Sequence, residues 1–197
     1  LQAASPSWLR GLREEGFAHF ERLGWPTRRH EEWKYTSTKE LQAQCFELST
    51  PAAPVDTAAL DAVRVGGAIE LVFVDGLFRP ELSQQKRSPA GVTIEILAGD
   101  VTVGENAQLA YGVIQAESRA AAQVQNTRVQ LAQDSRLESF TLTTGGKWVR
   151  NELDVALQGS NIHAVVNGLY TLKGQQHVDN HTVIEHCQPH SFSSQLY

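Results

Sequence analysis

The sequence predicts a mainly β protein, a β-solenoid behind an N-terminal α-helical segment, and its strand pattern carries this prediction. After about residue 100 short strand-like stretches alternate with breaks of Gly, Asn and Asp, and no helical pattern intervenes. The stretches that begin at Val129 and Val155 can be overlaid at an offset of 26, and Thr182 begins a similar strand 27 residues later. Near-constant spacing favours a solenoid over a β-sandwich, the alternative that also yields many short strands. We therefore expect residues 68–197 to form stacked parallel strands, with Val129, Val155 and Thr182 adjacent on successive coils.

The N-terminal part is predicted to be helical over residues 5–23. Ser5 is suited to cap this helix, Pro6 fits its first position, and Gly24-Trp25-Pro26 ends it. Apolar residues recur at steps of three and four, which predicts a buried stripe. We expect that stripe to contain Leu9, Leu12, Phe20 and Leu23.

A linker and a hairpin are expected next. Residues 49–67 are rich in Ala, Pro and Gly, which is typical of a linker, here with one short helical turn. Asp75-Gly76 between two apolar stretches is a strong tight-turn signal. We divide the chain accordingly into an N-terminal helical segment with its linker, residues 1–67, and a β-helix core, residues 68–197.

The polar loop at residues 27–36 contains acidic and aromatic side chains. Glu31 and Glu32 would serve as a catalytic pair only if a cleft gave the two carboxyl groups different pKa values. The more economical interpretation is that Trp33 is buried and that Trp33 and Tyr35 anchor this segment against the β-helix, with the charges facing water.

A histidine-rich stretch near residue 180 supplies the candidate metal ligands. On a strand, the side chains of His177, Asp179 and His181 share one face, opposite Val178 and Ile184. Imidazole and carboxylate can hold Zn²⁺ or Fe²⁺, but a row along one strand does not surround an ion. We therefore expect a polar outer ladder or a surface that faces a partner, and we assign no metal site. The complete set of weak candidate ligands is His177, Asp179, His181, His186, Cys187 and His190.

Several function classes are disfavoured by the sequence. A net charge of −5 without a basic run argues against a nucleic-acid partner. There is no apolar stretch long enough for a membrane span, and no phosphate-binding or nucleophile-elbow motif. Cys45 and Cys187 form no disulfide framework, so we expect free thiols. The absence of methionine leads us to expect a fragment or an incomplete record of a longer protein.

Two stretches carry a family resemblance. The first is Pro-Thr-Arg-Arg-His-Glu-Glu-Trp-Lys-Tyr-Thr at residues 26–36, followed by Val72-Phe73-Val74-Asp75-Gly76 and Leu82-Ser83. The second is residues 104–197, with Arg-Asn-Glu-Leu-Asp-Val at 150–155 and the histidine-rich stretch. Together they resemble the SufB/SufD family of the Suf machinery, which assembles iron–sulfur clusters. The N-terminal helical segment joined to Val-Asp-Gly favours the SufD branch.

The resemblance implies a right-handed parallel β-helix and a non-catalytic, cytoplasmic scaffold subunit. It implies a complex with a SufB-like paralogue and the SufC-like ATPase, with a homodimer as a further arrangement. Nucleic acid and membrane are not expected partners. Iron or an iron–sulfur cluster is expected at the level of the complex, and no cofactor is assigned to this chain. The family's C-terminal helical domain, which docks SufC, and its interface Cys and His residues would lie beyond Tyr197. Residues are also expected to be missing near 98–101.

An enzyme is the alternative function. Solenoids also host carbohydrate-active lyases and hydrolases, which would cluster Asp or Arg on neighbouring coils facing one groove. Here the acidic residues are scattered along the chain, so the scaffold is the favoured interpretation.

Overall fold

The computed structural model describes residues 7–45, 55–64, 68–84, 92–95 and 99–197. Within these ranges, three α-helices precede the strands, namely α1 (Ser7–Leu23), α2 (Lys39–Gln42) and α3 (Thr57–Asp61), with a 3₁₀ turn at Glu31–Trp33. The strands are β1 (Phe73–Val74), β2 (Leu77–Phe78), β3 (Val92–Glu95), β4 (Asp100–Val103), β5 (Gln108–Gln115), β6 (Ala122–Leu131), β7 (Arg136–Thr143), β8 (Trp148–Leu157), β9 (His163–Tyr170), β10 (His177–His186) and β11 (Phe192–Leu196).

The strands from β4 onwards form the predicted β-solenoid, which makes about three turns. The chain alternates between two sheets. Sheet 1 has the order β10-β8-β6-β4-β3, and sheet 2 has the order β11-β9-β7-β5. Strands of successive coils pair in parallel within each sheet. This parallel pairing between coils confirms the solenoid, since a sandwich of antiparallel strands would not produce it.

The predicted register is right for one pair of coils and wrong for the next. Val129 lies opposite Val155, as expected. Ile184, rather than Thr182, lies opposite Val155, and Thr182 lies opposite Leu153. The connections that lead from β8 to β10 are longer than those from β6 to β8, which moves the offset from 26 to 29 residues.

The expectation of parallel strands from residue 68 is wrong for the first strands. β1 and β2 form an antiparallel hairpin, and β3 pairs with β4 in antiparallel fashion. The predicted tight turn is confirmed, because Asp75 and Gly76 both have positive φ, 51° and 75°. The expected gap near residues 98–101 borders residues 96–98, which lie outside the described part of the chain. The division at residue 67 stays a prediction.

The hydrophobic core fills one half of the solenoid interior. Strict alternation along the strands sends every second side chain inwards, where aliphatic residues of successive coils stack. The other half of the interior is lined by hydroxyl and amide groups. The core cluster comprises Val101, Val103, Ala107, Val129, Leu131, Leu137, Leu153, Val155, Leu157, Ile162, Ala164 and Val166.

Helix α1 forms where the sequence predicts it, but its expected buried stripe does not. Gly24, with φ 68°, ends the helix and donates its N–H to the Phe20 carbonyl at 2.7 Å. Phe20 is 41% exposed and Leu23 is 66% exposed, because none of the described elements covers this face of the helix. The side chains of Leu9 and Leu12 lie outside the described part. In the predicted linker α3 supplies the expected short helical turn, capped by Asp56, while 49–54 and 65–67 are outside the described residues.

Candidate functional site

The predicted histidine row lies on the outer face of sheet 1. The side chains of His177, Asp179 and His181 point away from the core, whereas Ile184 packs against it, so the predicted face is confirmed. All three outward residues are nonetheless half-buried. The cover comes from residues 26–41, a segment that we call the strap, which lies across β8 and β10.

Hydrogen bonds fix the central part of the strap. The Thr36 hydroxyl donates to Asp179, and its oxygen lies 3.2 Å from Nε2 of His177. Because the single hydroxyl proton is given to the carboxylate, His177 Nε2 is the donor to Thr36. Trp148 Nε1 donates to the Ser37 carbonyl at 3.2 Å, and the Trp148 ring stacks on His177 with centroids 6.2 Å apart. These contacts fix which residues of the strap lie against which residues of β8 and β10.

Arg150 is a fully buried cation on this outer face, with 0% of its side chain exposed. Its Nε donates to Glu152 Oε1 at 2.8 Å, and its Nη1 donates to Asp179. The guanidinium carbon lies 3.9 Å from the centroid of the Trp33 ring, a cation–π contact. Nη2 is buried without a hydrogen-bond partner. The strap thus closes over an ion network that water would otherwise solvate.

The predicted anchors of the strap are partly right. Trp33 contacts the solenoid and is half-buried, less than expected, because one face of the ring covers Arg150 while the strap backbone leaves the rest accessible. Tyr35 is 81% exposed, so its predicted anchoring role is wrong. The chain beyond the turn at Glu31–Trp33 buries Thr36 against Asp179 of the solenoid, at 1% exposure. Thr38, at 3% exposure, is buried against Pro26 and Gln42. These threonines were missed because hydroxyl residues in a polar loop ordinarily face water.

An ion pair and a side chain–backbone hydrogen bond hold the ends of the strap. Lys147 Nζ lies 2.9 Å from Glu40 Oε2, at the exposed side of α2. Thr38 donates its hydroxyl proton to the Pro26 carbonyl at 2.8 Å, which ties the start of the strap to its end. No sequence motif indicates the contact of Lys147 with Glu40 or that of Thr38 with Pro26.

The structure does not gather the candidate metal ligands. Asp179 is committed to Arg150 and Thr36, His186 Nε2 lies 2.9 Å from Ser193 Oγ, and Cys187 is exposed. His190 is in a turn with φ 66°. Within the described ranges no three His, Cys, Asp or Glu side chains are placed to hold a metal ion together. The outer ladder without a metal stays a prediction.

A polar network inside the solenoid was also missed. Gln115, 2% exposed, donates from Nε2 to Asn151 at 2.8 Å and to Gln125 at 3.1 Å, and accepts from Thr143 at 2.7 Å. Asn151 donates in turn to Asn180 on the next coil at 2.9 Å. The signal was present in the sequence, since amides recur at inward positions one coil apart, at 125, 151 and 180.

Glu117 lies at the margin of this network. Gln123, oriented with Nε2 towards the carboxylate, donates to Glu117 and accepts from Gln115 at 3.1 Å. Burial raises the pKa of the Glu117 carboxyl above its ordinary value, an effect that its own backbone hydrogen bond only reduces. A cavity of about 20 Å³ beside Gln125, Thr127 and Asn151 is large enough for one water molecule.

Comparison with protein families gives two overlapping matches. A family profile described as the SufBD protein N-terminal region matches residues 1–137. A second, the SufBD core domain of the SUF system of iron–sulfur cluster assembly, matches residues 86–197. The chain belongs to the SufBD family. The match confirms the resemblance at the level of the SufB/SufD family and does not distinguish its two branches.

One curated relative matches a smaller part of the chain. An iron–sulfur cluster assembly SufBD family protein of Synechocystis sp. is 35% identical over 72 residues, which are 36% of this chain and 16% of that relative. The matched stretch is therefore a small part of the relative's length. No solved structure gives a significant match. None of the helices in the described ranges is both long and apolar enough to cross a membrane.

Proposed function

We propose that the chain acts as a SufD-like, non-catalytic scaffold subunit in iron–sulfur cluster assembly, in a cytoplasmic complex with a SufB-like paralogue and a SufC-like ATPase. The observation that carries this proposal is the pair of overlapping family matches, 1–137 and 86–197, which together span the chain. The SufD assignment rests on the N-terminal helical segment that precedes the Val74-Asp75-Gly76 turn. The scaffold role agrees with a structure in which Arg150, Asp179 and Thr36 bind one another beneath the strap.

The described acidic side chains support a scaffold better than an enzyme. Glu152 and Asp179 are neighbours on the outer face of sheet 1, but Arg150 binds both and the strap covers them. A carbohydrate-active enzyme needs an acid and a base that reach the substrate in an open groove. These two carboxylates have neither the freedom nor the access, so the lyase or hydrolase alternative is not favoured.

Co-expression with the SufB-like and SufC-like proteins of the same organism tests the proposal. We expect the three chains to elute together, with ATP hydrolysis that disappears when the SufC-like subunit is omitted and is never supported by this chain alone. If the other two form a complete complex from which this chain is excluded, the proposal fails. ATP hydrolysis by the isolated chain would contradict the non-catalytic role.

The histidine-rich stretch is part of the same proposal, as a surface ladder rather than a structural metal site. Since Asp179 is already bound to Arg150 and Thr36, we expect Zn²⁺ and Fe²⁺ to bind weakly and their removal to leave the fold intact. Calorimetry on the wild type and on His177→Ala/His181→Ala measures this. Sub-micromolar binding that the double substitution abolishes would contradict the ladder.

A further inference from the structure

The first coil of the solenoid has one strand edge without a partner strand. Sheet 2 ends at β5 in the order β11-β9-β7-β5, so β7 pairs with one side of β5 and none of the described strands pairs with the other side. In sheet 1 the first strand of the solenoid, β4, is covered by β3 in antiparallel fashion. We call the unpaired side of β5, along Gln108–Gln115, the free edge.

The free edge presents the backbone groups of alternate residues. The carbonyls of Ala107 and Gln115 accept hydrogen bonds from the N–H groups of Arg136 and Thr144 in the next coil. Odd-numbered residues of β5 therefore point their N–H and C=O groups towards β7, and even-numbered residues point theirs towards the free edge. Only another extended backbone can satisfy such a row of donors and acceptors in series. The residues that point to the free edge are Gln108, Ala110, Gly112 and Ile114.

Strand β5 lacks the devices that usually protect an edge strand. Charged side chains, proline and bulges ordinarily keep a free edge from pairing with another chain. The sequence of β5, Gln-Leu-Ala-Tyr-Gly-Val-Ile-Gln, contains no charge and no proline, and its register with β7 is unbroken. At the other end of the described solenoid, the last strand of sheet 1, β10, carries the carboxylates of Asp179 and Glu185. The free edge is therefore open to the addition of a strand.

The side chains behind the free edge lack the layer that would bury them. Leu109, Tyr111 and Val113 point inwards but are only half-buried. Leu137 and Ser139, which lie opposite the first two of them one coil on, are 1% and 4% exposed. An added strand would lay alternate side chains on Leu109, Tyr111 and Val113, which favours apolar residues at those positions and disfavours charged ones.

The vacant place beside β5 has the thickness of one strand. β3 extends sheet 1 beyond β4 by one strand, about 4.8 Å, whereas the described part of sheet 2 has no strand in that layer. One added strand would complete the layer. A broad, flat surface would meet β3 before it reached β5, so the geometry favours a single extended segment.

We propose that the free edge binds an extended, uncharged segment of a partner protein, which is as long as β5 and joins sheet 2 as an additional strand. Backbone hydrogen bonds to the even-numbered residues supply the affinity, and the inward apolar positions supply the selectivity. The inference goes beyond the proposed function and does not rest on it.

Fluorescence anisotropy with a labelled peptide tests the proposal on the full chain. The probe is a peptide of alternating Thr and Val, as long as β5, between flanking lysines. Its control has Pro at two central positions, which keeps the charge and removes two backbone donors. We expect the probe to bind saturably and the control to bind at least about tenfold more weakly. Absence of saturable binding, or equal binding of the two peptides, would overturn the proposal.

Two substitutions at Gly112 locate the binding site. Gly112→Pro removes an N–H that faces the free edge and leaves the hydrogen bonds to β7 in place, since proline is tolerated at strand edges. Probe binding should weaken by at least about tenfold. Gly112→Ala keeps the N–H, and its Cβ would have no neighbouring atom of the described structure within 4 Å. Its affinity should stay within about twofold of the wild type. Equal affinities of the two variants would contradict docking at the free edge.

Amide hydrogen exchange on the wild type provides a test that needs no substitution. In the chain without probe, odd-numbered residues of β5 should exchange slowly, because they bind β7, and even-numbered residues should exchange fast. Saturation with the probe should slow the even-numbered residues. If these are already protected without the probe, another segment of this chain or a second copy covers the edge. If the probe leaves their exchange unchanged, it binds elsewhere. Either result would refute the proposal.

Discussion

The two outer faces of the solenoid differ in what covers them. The outer face of sheet 1 carries Arg150, Asp179 and His177, and the chain's own strap covers it. The outer face of sheet 2 carries Phe140 and Leu169, and the described chain leaves them exposed. Apolar surface alone therefore does not decide which face the chain covers for itself. Directional polar contacts select the face and the register, whereas a non-directional apolar surface accepts any partner of suitable shape.

The largest effect should come from removing the carboxylate of Asp179. In Asp179→Ala the buried Arg150 loses one of two counter-charges and Thr36 loses its acceptor, and we expect a loss of about 3 kcal/mol in the free energy of unfolding. Urea denaturation measures it. The matched control is Glu138→Ala on the exposed outer face of sheet 2, which should change stability by less than about 0.5 kcal/mol. Equal effects of the two substitutions would remove the distinction between the faces.

Truncation of Trp33 should have the next largest effect. The ring is half-buried and covers the Arg150 guanidinium, so Trp33→Ala should cost about 2 kcal/mol, which is less than the removal of a fully buried aromatic side chain. Tyr35→Ala, two residues away and 81% exposed, is the control and should be neutral. If Tyr35→Ala destabilises the protein as much as Trp33→Ala, the strap docks in a different orientation from the one described.

The Thr36 hydroxyl should contribute a smaller amount. Thr36→Val keeps the shape of the side chain but removes the donor to Asp179, and we expect a loss of about 1–1.5 kcal/mol. Thr102→Val, at an exposed position of β4, is the isosteric control. The Thr36 effect should become smaller in an Asp179→Ala background, because only the contact of the Thr36 hydroxyl with His177 is then left to lose. If Thr36→Val and Asp179→Ala have additive effects on the free energy of unfolding, the Thr36 hydroxyl does not donate to Asp179.

The smallest expected effect depends on pH and concerns the interior. Burial raises the folded-state pKa of Glu117, so the folded state binds a proton more readily than the unfolded chain. Stability from this group is therefore present below the unfolded pKa and is lost as pH rises through the folded pKa. Glu117→Gln should match the wild type in acid and be more stable than it at pH 8, by urea denaturation. If the wild type becomes more stable relative to Glu117→Gln as the pH rises, the predicted direction of the pH dependence is wrong.

Much of the fold could be predicted from local pattern. The 3.6-residue period located α1, Asp75-Gly76 located the hairpin, and the alternation of strands located the coils. The position of Thr182 was wrong because the offset from β8 to β10 is 29 residues rather than the expected 27, and a shift of two residues moves β10 by one inward position. A constant repeat length assumes that all connections between strands are equally long. The true offset depends on the lengths and conformations of the loops, which the strand pattern does not reveal.

The candidate site could be predicted only in part. Strand parity placed His177 and Asp179 on one face, since it depends on neighbouring residues alone. The strap contact joins Thr36 to Asp179 across 143 residues, and no local signal connects such distant positions. Arg150 and Asp179 are 29 residues apart, one coil, and their pairing becomes visible only once that offset is known. The exposure of Tyr35 depends on the 3₁₀ turn before it, which rotates Trp33 rather than Tyr35 towards the solenoid.

Nuclear Overhauser contacts between the strap and sheet 1 test the central claim most directly. If the strap covers this face, the Trp33 ring protons should show cross-peaks to the Arg150 side chain, and the Thr36 methyl group should show cross-peaks to the His177 ring. The Arg150 protons should also be shifted upfield by the ring 3.9 Å from the guanidinium carbon. Random-coil shifts for Trp33 and Thr36, with no cross-peak to β8 or β10, would show that the outer face of sheet 1 is as open as that of sheet 2.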